Sequence, residues 1–441
     1  MDEAAGSVVG RDRKPEPADP VPLHLLPQGC GVGRDGSLWI RGQKVSDLVK
    51  EFGTPLFIYD EEQIRSRARE LKQLFGSDVA YASKAFLCKA MAKLVSEEGL
   101  HLDVASGGEL LVALSAGFPS ERIVMHGNNK SNGELELALS AGVGRIVIDS
   151  FNEIDRLEKL VKSGTRARVW IRVTPGVEAH THEFVMTGQD DSKFGFGILS
   201  GDAKIALDRL KVSQTLDLVG VHAHIGSQIF SLDSFVKEVE VLAPFFASAG
   251  VEELNFGGGL GVPYVSGEPI VEFADWSRAL KDAAGAAGIS PSARIMVEPG
   301  RSLVAPTAIT VYEVGTIKEI PGIRTYVAVD GGMSDNPRPV LYNSGYEVFL
   351  VEDVSARRDR RVTVVGKHCE SGDVLVKDGQ LPSSTKVGDL IATPVTGAYG
   401  YSMASNYNKV GRPAVVFVGN KGYRLVLRRE TVDDLLLLDL G

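Results

Sequence analysis

The sequence predicts an α/β fold: a (β/α)8, TIM-like barrel plus a C-terminal antiparallel β domain that includes an N-terminal segment. Three observations predict it. Between about residues 60 and 300, eight short, apolar, β-branched runs alternate with longer stretches of helical spacing, the pattern of parallel crossover units. After about residue 305 the helical spacing fades, and strand-like runs follow one another through turn residues. The chain, at 441 residues, exceeds one ordinary domain, and a barrel accounts for about 250 of them.

In chain order, residues 1–22 are rich in Pro, Asp, Glu and Arg and read as a disordered tail without an apolar signal core. Residues 23–55 carry short strand-like runs and are expected to join the β domain. The barrel is expected over 56–305, with strands at Val79–Lys84, His101–Ala105, Arg122–His126, Arg145–Asp149, Ala167–Val173, Leu218–His224, Glu252–Phe256 and Arg294–Glu298. Helical segments between them end at glycines such as Gly117 and Gly142, the residue best suited to a left-handed helix cap. An open doubly wound sheet is the competing arrangement, because strand order is not written in one sequence. The β domain, 306–441, is expected to hold strands at Ala308–Val314, Thr325–Val329, Glu347–Val351, Arg361–Val365, Asp373–Val376, Leu390–Pro394, Ala414–Val418 and Tyr423–Arg428.

Composition narrows the function. A formal charge of −9 with no long run of one sign disfavours nucleic acid, which needs a basic face. No segment approaches the roughly 18 apolar residues of a membrane span. Cys30, Cys88 and Cys369 are odd in number and far apart, so neither a disulfide framework nor a zinc cluster is expected. A cytoplasmic location follows as the default.

A barrel places its chemistry where strands end, and polar or Gly-rich clusters fall there. Lys84 ends an apolar strand in YASKA. Most lysines at such a position are simply solvated, whereas one in a barrel mouth is placed to form an imine. In HAHIGSQ, His222 and His224 are two apart and share a strand face. A metal pair is one reading, to which His180 and His182 would add, but no third ligand stands at a telling spacing. A stacking or acid–base histidine beside an anion-binding Gly-Ser227 is the better one, and no metal is expected. In NFGGGLG, Gly257, Gly258 and Gly259 either make a flexible turn or bring backbone N–H groups to an anion. In EPGR, Glu298, Gly300 and Arg301 offer a carboxylate for a protonated heteroatom and a guanidinium for an anion, or a plain surface ion pair.

Taken in order, YASKA, HAHIGSQ, NFGGGLG, EPGR, GKHCESGD and GAYGYS, with HGNNKS (126–131) and VTPGVEAHTHEF (173–184) between them, resemble the alanine-racemase-like (fold-type III) pyridoxal-phosphate enzymes. Within these, the wording is that of the diaminopimelate decarboxylase family, from about residue 33 to the C-terminus. The resemblance implies pyridoxal 5′-phosphate as cofactor and a homodimer with active sites shared across its interface. It implies that Lys84 is the Schiff-base lysine, that His224 stacks on the pyridine face and that Glu298 pairs with the ring nitrogen. Ser227, Gly257, Gly258, Gly259, Gly300 and Arg301 would surround the phosphate region, with Tyr399 closing it. Cys369 would be the proton donor and would come, with Glu370, from the partner subunit. Arg301, Arg338, Tyr342, Glu370 and Tyr399 would hold the distal end of an amino-acid substrate, with Asp103 and Arg172 behind the residues that touch the cofactor.

The implied reaction is decarboxylation of meso-2,6-diaminopimelate to L-lysine and CO2, the last step of lysine biosynthesis. Two arginines and one glutamate suit a substrate ending in both a carboxylate and an ammonium. Decarboxylation of arginine, ornithine or carboxynorspermidine on the same scaffold is the alternative enzyme, and a non-catalytic pyridoxal-phosphate-binding regulator the alternative of another class.

Overall fold

The computed structural model describes residues 20–76, 78–177 and 192–441. The expected tail lies outside the described residues as far as residue 19, as do His180 and His182.

Eight parallel strands make the barrel: Ala80–Ala82, His101–Val104, Ile123–Met125, Arg145–Ile148, Ala167–Thr174, Leu216–His222, Glu253–Asn255 and Arg294–Met296. Each pairs in parallel with the next. A parallel bridge between Val79 and Val297 joins last to first, where the N–H of Ala80 donates to the Val297 carbonyl at 2.9 Å. The ring is closed, and the open-sheet alternative is set aside. All eight strands lie within a few residues of where the sequence puts them, because each is built on a short, mostly apolar, β-branched core that the helical spacing on either side does not continue.

The turns are equally local in origin. Ser106, Ser131 and Ser150 cap the helices Gly107–Ser115, Asn132–Ala141 and Phe151–Leu160, each side chain accepting the N–H of a glutamate three residues on. That Ser-x-x-Glu spacing is a helix-start signal. Gly117 and Gly142 then take positive φ of 75° and 68° beyond two of these helices. Inside the barrel, Val124, Val147, Trp170 and Met296 form a cluster of their own. Arg145 and Trp170 both donate to Glu253 there, at 2.6–2.8 Å. Trp170 lies parallel to His222, 6.5 Å between ring centres, so this plug floors the C-terminal mouth.

The second sheet runs, in spatial order, Val374–Leu381, Arg360–Val365, Arg324–Val329, Ala308–Ile320, Leu56–Asp60, Ala414–Gly419 and Gly422–Leu427, with Leu390–Pro394 and Phe349–Leu350 branching from Ala308–Ile320. Two features differ from the sequence reading. Leu56–Asp60, expected at the start of the barrel, is a fully buried strand of this sheet, and the barrel part follows with the helix Glu61–Phe75. The sheet is also mixed: Leu56–Asp60 runs parallel to Ala414–Gly419, and Arg324–Val329 parallel to Arg360–Val365. A strand that arrives before the whole barrel is not tied to its neighbours by a hairpin, so nothing local dictates an antiparallel partner. The N-terminal segment forms a small antiparallel sheet, Cys30–Val32, Leu38–Ile40 and Gln43–Lys44. Leu38 and Ile40 pack with Ile58, Ile309 and Val351 of the β domain.

The β domain also reaches the barrel mouth. Tyr399 N–H and the Ser402 hydroxyl both donate to the carbonyl of Ala85, at 2.9 and 3.0 Å, beside Lys84. Tyr59 stacks on Phe86 at 4.6 Å and its hydroxyl donates to the Gly397 carbonyl at 2.9 Å.

Candidate active site

A cavity of about 420 Å³ opens at the C-terminal mouth, lined from both domains. Lys84, Asp103, Arg172, His224, Ser227, Gly258, Gly259, Glu298, Gly300, Arg301, Tyr342 and Tyr399, all singled out in the sequence, line it. Lys84 stands in a short turn after the first strand and is exposed to the cavity. Glu298 follows the last strand, across the barrel seam from it.

Glu298 meets three side chains. Its Oε1 faces His126 Nε2 at 2.9 Å and accepts from Asn255 Nδ2 at 2.8 Å, while Oε2 faces His222 Nε2 at 3.0 Å. Burial opposes its charge, but His126 and His222 outweigh burial and hold the carboxyl well below the usual range. Burial likewise acts to strip His126 of its proton, yet Asp103 and Glu298 raise it overall. In His222 burial prevails over Glu298 and brings the imidazole down to about 4. The neighbouring Asp103, also buried, is pushed up to about 6. His126, His222 and Glu298 are close enough to offer a metal one atom each, all within 4.8 Å. Both imidazole Nε2 atoms already point at the carboxylate, however, so the cluster is closed on itself. A carboxylate accepts about four hydrogen bonds, and one position on Oε2 remains for an N–H donor in the cavity.

The glycine run packs tightly beneath. A Cβ on Gly258 would stand 2.2 Å from the Glu298 carbonyl oxygen, and one on Gly259, at φ 110°, 2.5 Å from that of Gly226. Neither position admits a side chain. Gly258 N–H donates to His224 Nδ1 at 3.3 Å. Burial first, then Lys84, holds this histidine well below its usual range, so the ring that faces the cavity is neutral. Across from it, Arg301 donates to Ser227 Oγ from Nη2 at 2.9 Å and to the hydroxyl of Tyr264 from Nη1 at 2.7 Å, and lies 4.8 Å from the Tyr399 ring centre. A glycine floor, a hydroxyl and a guanidinium on one side, with a singly available carboxylate oxygen on the other, suit a flat heteroaromatic that carries an anionic group. Lys84 provides an amine within the same cavity.

Four expected site residues do not line the cavity: Gly257, whose N–H goes to Asn255 Oδ1 at 2.8 Å, and Arg338, Cys369 and Glu370. Arg338 is buried behind the wall, 4.0 Å from the Tyr264 ring centre, and donates to Ser344 Oγ at 3.1 Å and to the Tyr346 hydroxyl. Cys369 and Glu370 are exposed on a β-domain loop and do not line the cavity of their own chain. The sequence reading assigned no role to His126, Asn255 or Tyr264. His126 and Asn255 do sit at strand ends, the one signal that singles them out.

The chain resembles known proteins over nearly its whole length. The family described as "Pyridoxal-dependent decarboxylase, pyridoxal binding domain" matches residues 61–305. A diaminopimelate decarboxylase of Mycobacterium bovis is 48% identical over 95% of this chain and 99% of that protein. One of Bacillus subtilis is 48% identical over 92% and 95%. Among solved structures, the diaminopimelate decarboxylase of M. jannaschii in complex with L-lysine superposes with a TM-score of 0.86, at 34% identity over 94% of this chain and 98% of that one.

Proposed function

The chain belongs to the diaminopimelate decarboxylase family of pyridoxal-dependent decarboxylases, and from that premise we propose how its residues divide the work. The reaction is decarboxylation of meso-2,6-diaminopimelate to L-lysine and CO2, with pyridoxal 5′-phosphate as cofactor. The observation that carries the assignment of the site is the convergence of Lys84 and Glu298, from adjoining strands, on one cavity.

When bound, pyridoxal 5′-phosphate supplies the electron sink for loss of the α-carboxyl group. Lys84 is its covalent anchor. Glu298 offers the remaining position of Oε2 to the ring nitrogen, and neutral His224 supports the ring face. Ser227, Gly257, Gly258, Gly259, Gly300, Arg301 and Tyr399 enclose the phosphate. Arg301, Tyr342, Glu370 and Tyr399 hold the distal amino-acid group, Arg301 against its carboxylate and Glu370 against its ammonium, while Arg338 backs Arg301 from behind the wall, against the Tyr264 ring whose hydroxyl Arg301 engages. Cys369 delivers the proton that replaces CO2 at the α-carbon, a general-acid step typically worth ~10²–10⁴-fold. Cys369 and Glu370 face outward from their own chain, which supports a homodimer in which they enter the partner's cavity. No described helix is long and apolar enough to cross a membrane, and we place the enzyme in the cytoplasm.

The test is lysine formation from meso-diaminopimelate, assayed beside ornithine and arginine, with and without added cofactor. Lys84→Ala should lose the absorbance of the anchored cofactor and all turnover. Mixing Lys84→Ala with Cys369→Ala should restore activity if sites are shared. Full turnover by Lys84→Ala would refute the anchor, and failure of the mixture would refute the shared site.

A further inference from the structure

We propose that His126 and His222 are positioning residues that aim Glu298, His126 by supplying the balancing charge and His222 by fixing direction. The inference rests on the reading of Glu298 as the partner of the cofactor's ring nitrogen.

The three side chains come from the ends of the third, sixth and eighth barrel strands, far apart in sequence and gathered only by closure of the ring. A glutamate at a strand end has three free torsions, and nothing in its own strand selects an orientation. Here each oxygen is held. The orientation of Asn255 is settled by its other atom: Oδ1 accepts the N–H of Gly257 at 2.8 Å, so Nδ2 must be the atom that meets Glu298 Oε1. His126 shares that oxygen, and among the described residues His222 alone holds Oε2.

The two imidazoles are not equivalent. His126 has Asp103 at 3.8 Å in addition to Glu298, two carboxyl groups that favour its charged form. His222 has Glu298 on one side, the Trp170 face on another and the His126 ring 4.8 Å away. Its buried Nδ1 has no hydrogen-bond partner among the described residues. Protonation would place an unpaired N–H there, so the favoured form is neutral, with its single proton on Nε2 toward the carboxylate. The remaining charged neighbour, Arg172, is cationic and opposes a second positive imidazole. One charged and two neutral donors therefore fix the carboxylate and leave a single acceptor direction.

Glutamine places an amide N–H near the position of imidazole Nε2 but carries no charge, so it separates the two roles. His222→Ala should lower kcat roughly 10–100-fold, the usual range for losing a hydrogen bond to a charged group, with little change in substrate KM and weaker cofactor retention on dialysis. His222→Gln should recover most of that loss. His126→Gln should not recover, and should shift the pH dependence of the bound cofactor's absorbance. In a Glu298→Gln background neither histidine substitution should add a further effect. If Glu298→Gln keeps full activity and cofactor affinity, the parent reading fails. If Glu298→Gln is impaired while the histidine variants match the unmodified enzyme, or multiply its defect, the positioning role is overturned. Should His222→Ala not fold, the contrast between His222→Gln and His126→Gln decides.

Discussion

The side-chain oxygen of Asn408 accepts the backbone N–H of Cys369 at 3.2 Å. The same oxygen stands 3.2 Å from Nδ1 of His368, whose Nε2 meets Ser334 Oγ at 2.7 Å. Asp373 takes the N–H of His368 and of Met333, at 2.9 and 2.6 Å. The loop that presents the thiol is therefore tied down by side chains at several points, although Cys369 itself is exposed. Asn408 occupies the left-handed region at φ 51°, which glycine adopts without cost.

Asn408→Gly thus removes the anchor and leaves the backbone unstrained. It should lower kcat by roughly 10-fold or more, given about 1 kcal/mol or more for each hydrogen bond lost, while the cofactor absorbance stays unchanged. Cys369→Ala should retain the absorbance as well and lose ~10²–10⁴-fold in turnover. Steady-state kinetics beside absorbance spectra test both, and normal turnover by Cys369→Ala would remove it as proton donor.

Gly258 is bound by its surroundings. An added methyl would meet the Glu298 carbonyl at 2.2 Å, pushing the glycine loop away from the strand end that carries Glu298. Gly258→Ala should cost about 1–3 kcal/mol of stability, as overpacking does, and should also loosen the cofactor. Thermal melts with and without cofactor read the two separately. A variant with unaltered cofactor affinity would show that the loop does not bear on the cofactor.

Lys130 and Glu153 form an ion pair at 2.6 Å with both side chains about 1% exposed. Lys130 also donates to the carbonyls of Gly127 and Val147, each at 2.7 Å, and so pins the loop whose Gly127 and Asn128 line the cavity. Glu153→Gln leaves a buried ammonium without its counter-charge and should cost about 3–5 kcal/mol. Replacing both partners by apolar residues should cost much less. Denaturant titration of the single and double variants checks this, and a double variant as unstable as the single would contradict it.

The barrel and most of its mouth were legible because parallel strands and strand-end chemistry are local patterns. Lys84, His224 and Glu298 each follow an apolar run, and Gly257–Gly259 advertise close backbone approach. The strand Leu56–Asp60 was not legible as part of the β domain, since four apolar residues ahead of an aspartate do not name their partner across the intervening barrel. His126 and Asn255 stood at strand ends, but a polar residue there looks the same whether it touches a ligand or another side chain. Arg338 shows the converse: a cation in a suggestive segment is packed against Tyr264 rather than exposed to the cavity.

His101 opens the second barrel strand, buried, with Nδ1 unpartnered among the described residues. Burial chiefly, and Arg145 next, lower its pKa to about 4 from an ordinary value near 6.5. Between those values the unfolded chain binds the proton and the folded chain does not. The stability contributed by neutral His101 is therefore complete above pH 6.5 and is lost as pH falls toward 4. At pH 5 the loss amounts to roughly 2 kcal/mol, at about 1.4 kcal/mol for each unit of difference. Glutamine at this position does not titrate. Between pH 7 and pH 5 the unmodified enzyme should lose roughly 2 kcal/mol more stability than His101→Gln, measured by denaturant unfolding at one protein and cofactor concentration. Parallel stability profiles for the two proteins would show that His101 is no source of acid sensitivity.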